Sequence, residues 1–135
     1  MKVVIDTNVF IAAFISPTGK SNELLEHCAT FHTLVCSEFI LGELRAKLID
    51  RFRRKPSDVR DALDLLRTRI QMVTPTLLEE PVSRDAEDDP ILGTAITGEV
   101  ERIITGDKDL LSLGSYRGIK IIKPAEFLAE EEAEQ

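Results

Sequence analysis

The sequence predicts an α/β fold, a mainly parallel sheet sandwiched by helices, and three observations carry that reading. Val3-Val4-Ile5, Thr33 to Cys36, Arg102 to Thr105 and Ile119 to Ile122 are short apolar runs rich in β-branched residues, as buried strands are. Between them lie segments whose apolar residues recur at helical spacing, and strands separated by helices imply parallel βαβ crossovers. Finally, Asp6-Thr7-Asn8 directly follows the first run, and Thr105-Gly106-Asp107 directly follows Ile103-Ile104. In an open parallel sheet, ligands bind beyond the carboxyl ends of the strands, where strand order reverses. Two acid-bearing ends therefore predict one shared acidic site.

In chain order, residues 2 to 6 read as a buried strand and 9 to 15 as a short apolar helix ended near Ser16-Pro17-Thr18-Gly19. A helix follows over 21 to 29, with Leu24, Leu25 and Cys28 on one side, and then the strand at Thr33 to Cys36. Ser37 suits an N-cap for a helix in which Ile40, Leu41, Leu44 and Leu48 repeat at helical spacing. Pro56-Ser57-Asp58 starts a second helix carrying Val59, Leu63, Leu66 and Ile70, so the two make a helical hairpin. Met72 to Thr74 reads as strand, Asp85 to Asp89 as an acidic loop, and Ile91 to Thr97 as a helix. The last two strands complete one domain over 1–129. Residues 130–135 read as an acidic, frayed tail.

Hydrophobic content of 43% with 30% charged residues fits an ordinary globular chain of 135 residues. The longest apolar stretches fall short of the roughly 18 residues of a membrane span. No basic, apolar, small-residue leader pattern opens the chain, which predicts a cytoplasmic protein. In that compartment Cys28 and Cys36 are expected as buried free thiols. The net charge of -7 disguises its distribution: without the five acids of the last ten residues, 19 acids face 17 bases. Arg45, Lys47, Arg51, Arg53, Arg54 and Lys55 form a local run containing the single acid Asp50. Such a run is either a solvated helix face or a ridge for a phosphate backbone. Base stacking is not indicated.

Four places offer carboxylates to the predicted site. Asp6 and Asp107 come from strand ends, Glu43 lies among the inward residues of the third helix, and Asp85, Asp88 and Asp89 come from the acidic loop. Asp88, three and seven residues before Ile91 and Ala95, falls on the inward side of its helix. Clustered carboxylates repel unless a cation compensates, and hard divalent ions such as Mg²⁺ or Mn²⁺ prefer such oxygen donors. The site class implied is a metal-dependent phosphodiesterase. Each acid also has a purely structural reading. Asp6 and Asp107 suit helix N-caps, Asp89-Pro90 fits a cap followed by proline at the first helical position, and Glu43 could snorkel. Those readings do not explain why four acids share one region. His27 and His32 lack a partner at metal-ligand spacing and read as a helix surface residue and a turn residue. A second Asp two positions after Asp6, as haloacid-dehalogenase phosphatases require, is replaced by Asn8, and an EF-hand loop from Asp85 would need glycine where Pro90 stands.

Asp-Thr-Asn-Val at 6–9, Ser-Glu-Phe-Ile-Leu-Gly-Glu-Leu at 37–44, Arg-Asp-Ala-Glu-Asp-Asp at 84–89 and Thr-Gly-Asp-Lys-Asp-Leu-Leu at 105–111 resemble the successive motifs of PIN-domain ribonucleases. The resemblance is closest to the toxin components of toxin and antitoxin systems and covers residues 2 to about 124. It implies a three-layer PIN-like sandwich and a Mg²⁺- or Mn²⁺-dependent endoribonuclease that cleaves single-stranded RNA, commonly a homodimer and paired with an antitoxin protein. By motif position it assigns Asp6, Glu43, Asp88 and Asp107 as the metal-binding and catalytic acids, Asn8 and Thr105 as polar support, and Asp85 as an extra ligand. Glu87, Asp89 and Pro90 depart from the family pattern and leave Asp88 and Asp89 as alternatives for the third acid. The basic ridge at Arg51, Arg53 and Arg54 then becomes the expected path for RNA. Surplus apolar residues of the hairpin, Phe39, Leu41, Leu48, Phe52, Leu65 and Leu66, are expected to pair two copies or, on the competing reading, to bind an antitoxin segment and leave the chain a monomer. The alternative reading is a non-catalytic RNA- or protein-binding module on the same fold.

Overall fold

The computed structural model describes residues 1–78, 82 and 89–134. Strand β1 (Lys2–Ile5) lies between β2 (Thr33–Cys36) and β4 (Arg102–Ile104), parallel to both. Parallel strands β3 (Ile70–Met72) and β6 (Ile119–Ile122) flank them, and β5 (Ser115–Tyr116) closes one edge antiparallel, giving the order β3-β2-β1-β4-β6-β5. Val3, Val4 and Ile5 are buried on both faces of the sheet. That explains why the central strands are continuous apolar runs rather than alternating ones.

The helices between β1 and β2 are α1 (Thr7–Ile15) and α2 (Lys20–Phe31), and those between β2 and β3 are α3 (Glu38–Asp50) and α4 (Pro56–Arg67). Strand order thus runs outward from β1 through β2 to β3, and the chain then returns across the sheet to β4 and on to β6. Right-handed crossovers put α5 (Asp89–Gly98), which leads into β4, on the face opposite the first four helices. Helix α5 packs closely against β1 and β2: a Cβ on Gly98 would lie 2.4 Å from Val35 Cγ1. Short helix α6 (Lys108–Leu111) and terminal helix α7 (Pro124–Ala133) complete the molecule. The reversal of direction falls between β1 and β4.

Several elements differ from the sequence reading for local reasons. The Thr68 hydroxyl donates to the Leu65 carbonyl at 2.6 Å and the Arg69 amide to Leu66 at 2.9 Å, so α4 ends before Ile70. Ile70 therefore belongs to β3, which starts two residues before the predicted 72–74 span and ends at its first residue, Met72. The β5–β6 hairpin turns at Arg117 (φ 49°) and Gly118 (φ 79°), a two-residue connection that needs left-handed backbone. The Glu-rich end is helical through Ala133, and Glu131 is buried. In the α3–α4 hairpin, Leu41, Leu48 and Leu66 belong to the core and Phe39 packs against it. The apolar surplus is reduced to Phe52 and Leu65, 39% and 68% exposed. Cys28 and Cys36 are buried free thiols, each pushed up to about 12 chiefly by burial. No helix among the described residues is long and apolar enough to cross a membrane.

Candidate metal and catalytic site

Asp6 stands at the end of β1, where its amide extends the sheet ladder to the Ile104 carbonyl at 3.0 Å. Its carboxylate caps α1, with Oδ1 accepting from the Thr7 amide at 2.7 Å, while Oδ2 accepts from the buried Thr105 hydroxyl at 2.7 Å. Thr105 in turn accepts from the Asp107 amide at 3.0 Å, so one hydroxyl ties together the acids of β1 and β4. Asp107 is the N-cap of α6 and accepts from the Asp109 amide at 3.3 Å. Both acids are thus caps, as their structural readings hold, and both also sit at the switch point. A carboxylate oxygen that accepts one such bond keeps a lone pair for another donor or a cation.

Glu43 reaches the same region from α3. Its half-buried carboxylate accepts from the Thr7 hydroxyl at 2.8 Å. Thr7 is a holding residue that motif reasoning left unassigned, although its place between Asp6 and Asn8 was visible. Asn8 is exposed at the rim, where its Oδ1 accepts from Lys47 Nζ at 3.4 Å. Behind the site, the buried Ser37 cap of α3 is bonded to Thr94 of α5 at 2.9 Å, which braces the Glu43 helix. No sequence pattern linked those two hydroxyls.

The electrostatics match an acid cluster. Burial, first, pushes the Asp6 carboxyl above its ordinary value; the bonds from Thr105 and Thr7 pull it down, and the charges of Asp107 and Glu43 push it up again. Among the described residues, no Lys, Arg or His forms an ion pair with Asp6, Glu43 or Asp107. Oxygen donors not paired with a protein cation fit a hard divalent ion. Asp85 and Asp88 lie outside the described residues. Asp89, at the start of α5, accepts from the Val82 amide at 3.4 Å.

The basic run beside the site divides in two. Arg45, Arg51, Arg53, Arg54 and Lys55 are exposed and, among the described residues, form no ion pair, whereas Arg67 and Arg69 are engaged by Glu38 and Glu26. Base stacking was not expected, yet Phe52 stands in the sequence between Arg51 and Arg53, and its partly exposed ring has the Arg51 guanidinium 6.0 Å from its centroid. A groove of about 420 Å³ joins Arg51 and Phe52 to Asn8.

The two histidines are not the isolated surface and turn residues expected. Both converge on Glu131, a residue 99 or more positions away, and the ligand atoms of the three lie within 4.8 Å of one another. Their spacing across the end of α2 and the Glu-rich composition around the third member hid the set.

Comparison with known proteins agrees with this architecture. A solved structure of the VapBC2 complex from Rickettsia felis, bound to a DNA fragment from its promoter, includes a chain matching this one at a TM-score of 0.67 with 16% identity, covering 91% of this chain and 98% of that one. An uncharacterized protein of Methanocaldococcus jannaschii is 33% identical over 144 aligned positions, 96% of this chain and 91% of its own length. The family model of the PIN domain matches residues 2–109, a span running from β1 through both strand ends that carry Asp6 and Asp107. With the motifs, the switch-point acids and the sheet order in agreement, the chain belongs to the PIN-domain family.

Proposed function

We propose that this protein is a Mg²⁺- or Mn²⁺-dependent endoribonuclease acting on single-stranded RNA, the cytoplasmic toxin of a toxin and antitoxin pair, and a homodimer. The observation that carries the reading is the buried Asp6 carboxylate, bound to Thr105 and repelled by Asp107 and Glu43, with no ion pair to any of the three among the described residues. Family membership supports nuclease activity, and the fold it shares with a chain of a VapBC complex supports an antitoxin partner.

Asp6, Glu43 and Asp107, with Asp88 or Asp89 as the third-motif acid and Asp85 beside it, would hold the ion. When bound, a divalent ion supplies activation of water and neutralisation of charge on the scissile phosphate. The chain's own contribution is orientation. Thr105 fixes Asp6 relative to Asp107, and Thr7 fixes Glu43, so each of these side chains is held in orientation by a hydroxyl. Without a cation the same acids repel a phosphodiester. Arg51, which lines the groove leading to Asn8, and the exposed Arg53 and Arg54 that follow it in the chain offset that repulsion, and Phe52 offers a face on which a base can stack.

Cleavage of a single-stranded RNA by the purified chain, with Mn²⁺ or Mg²⁺ and with chelator, tests the proposal. Metal-dependent cleavage that disappears in Asp6→Asn is expected. RNA binding without cleavage under either metal would instead make the chain a binding module.

A further inference from the structure

We propose that His27, His32 and Glu131 form a second metal site, distinct from the acidic cluster, selective for a borderline divalent ion such as Zn²⁺ and joining α7 to α2. His27 lies in the last turns of α2, and His32 follows as its C-cap in extended backbone. That abrupt change of direction brings the two rings to 5.6 Å, although five residues on a continuous helix would point them apart. Glu131 arrives from α7. The Nε2 atoms of both rings meet its Oε1, with His27 at 2.8 Å.

Three features make this a built site. Its side chains are held: Phe127 packs edge-on to both rings, at 6.4 Å from His27 and 5.7 Å from His32, and Phe31 lies 5.0 Å from His27. The donors are sheltered, with side-chain exposures of 19%, 10% and 9% for His27, His32 and Glu131. There is also an approach route, since a groove of about 760 Å³ lined by His27, Glu131, Lys123 and Gly106 opens beside the set.

Two imidazoles and one carboxylate suit Zn²⁺ better than Mg²⁺, which prefers oxygen donors, and three protein ligands leave a fourth position for water from the groove. Binding has a defined cost. The Met1 nitrogen lies 3.0 Å from His32 Nδ1, an arrangement that keeps the ring proton on Nε2 facing Glu131. Metal on Nε2 requires that proton to sit on Nδ1 instead, so Met1 must turn away.

The competing account is a metal-free hydrogen-bonded clasp. Calorimetric titration of Zn²⁺ into the full-length Asp6→Asn protein, with Mg²⁺ in excess, reads the histidine site apart from the acidic one. One bound Zn²⁺ is expected, with affinity falling at least about tenfold in His27→Gln and in Glu131→Gln, each checked for folding by circular dichroism. Imidazole ¹⁵N spectra of the unsubstituted chain supply a second readout that needs no variant: His32 should change from the Nε2–H to the Nδ1–H tautomer on adding Zn²⁺. Absence of Zn²⁺ binding in Asp6→Asn, equal affinity in the folded variants, or an unchanged His32 tautomer at saturating Zn²⁺ would overturn the proposal.

Discussion

Replacing Thr105 by Val removes one hydroxyl while nearly preserving shape, and that hydroxyl is the link between the acids of β1 and β4. Thr105 is fully buried; its Oγ1 donates to Asp6 Oδ2 at 2.7 Å and accepts from the Asp107 amide at 3.0 Å. A hydrogen bond to a charged group contributes about 1.5–3 kcal/mol and a neutral one about 1 kcal/mol. Part of that sum returns, because Asp6 can take up a proton more readily once its donor is lost, and half-exposed Asp107 lets water reach its amide. A net loss of about 2 kcal/mol remains, which for a chain of this length lowers the melting temperature by roughly 6–10 °C. Metal affinity should fall about 10–100-fold, as when other groups that orient a ligand are removed. Thermal melts of metal-free protein and Mn²⁺ titration calorimetry measure the two effects, with Thr105→Ser restoring most of the metal affinity. A Val variant that melts and binds Mn²⁺ like the parent would refute the view that Thr105 organises the site.

Other perturbations reach different parts of the molecule. Asp6→Asn should abolish RNA cleavage yet raise the stability of metal-free protein. Because the folded carboxyl titrates above its unfolded value, ionised Asp6 costs stability, and parent stability should decline as pH rises from the unfolded value through the folded one. Melts across acidic pH should show that contribution missing in the variant, and an identical pH dependence would contradict the assignment. Arg51→Ala, Arg53→Ala and Arg54→Ala combined should weaken single-stranded RNA binding and reduce the log–log salt slope by about 2, leaving Mn²⁺ affinity unchanged; fluorescence anisotropy at several salt concentrations measures it. Gly98→Ala should destabilise by about 1–3 kcal/mol through overpacking against Val35, as read by urea denaturation. Light scattering tests assembly: a mass near 15.1 kDa rejects the homodimer, and about twice that supports it.

The sheet was legible because Val3-Val4-Ile5 and Ile103-Ile104 are buried on both faces, a condition that writes itself into sequence as uninterrupted apolar runs. The placement of Asp6 and Asp107 followed from the strands they terminate. Glu43 was readable from the helical repeat around it, whereas the Thr7 hydroxyl that holds it was not, since either of two neighbouring side chains could have faced the pocket. Short edge β5 has no apolar signature, and Arg117-Gly118 is its local mark. The largest omission, the convergence of His27, His32 and Glu131, depends on how α2 ends and where α7 lands. Both are tertiary facts. A buried glutamate inside a Glu-rich helix differs in no local property from its exposed neighbours.

The link between β1 and β4 also bears on when the acidic site can exist. Asp6 precedes in the chain the Thr105 that orients its carboxylate, and the Thr105 amide is itself fixed by the Ile122 carbonyl of β6. Until β6 has emerged, Asp107 and Thr105 have no strand on one side to settle against, and the pocket lacks its far wall. A growing chain therefore carries Asp6 through the synthesis of β2, β3 and β4 without an assembled site. The orientation of the acids is therefore settled only when β6 pairs with β4, not as each acid is made.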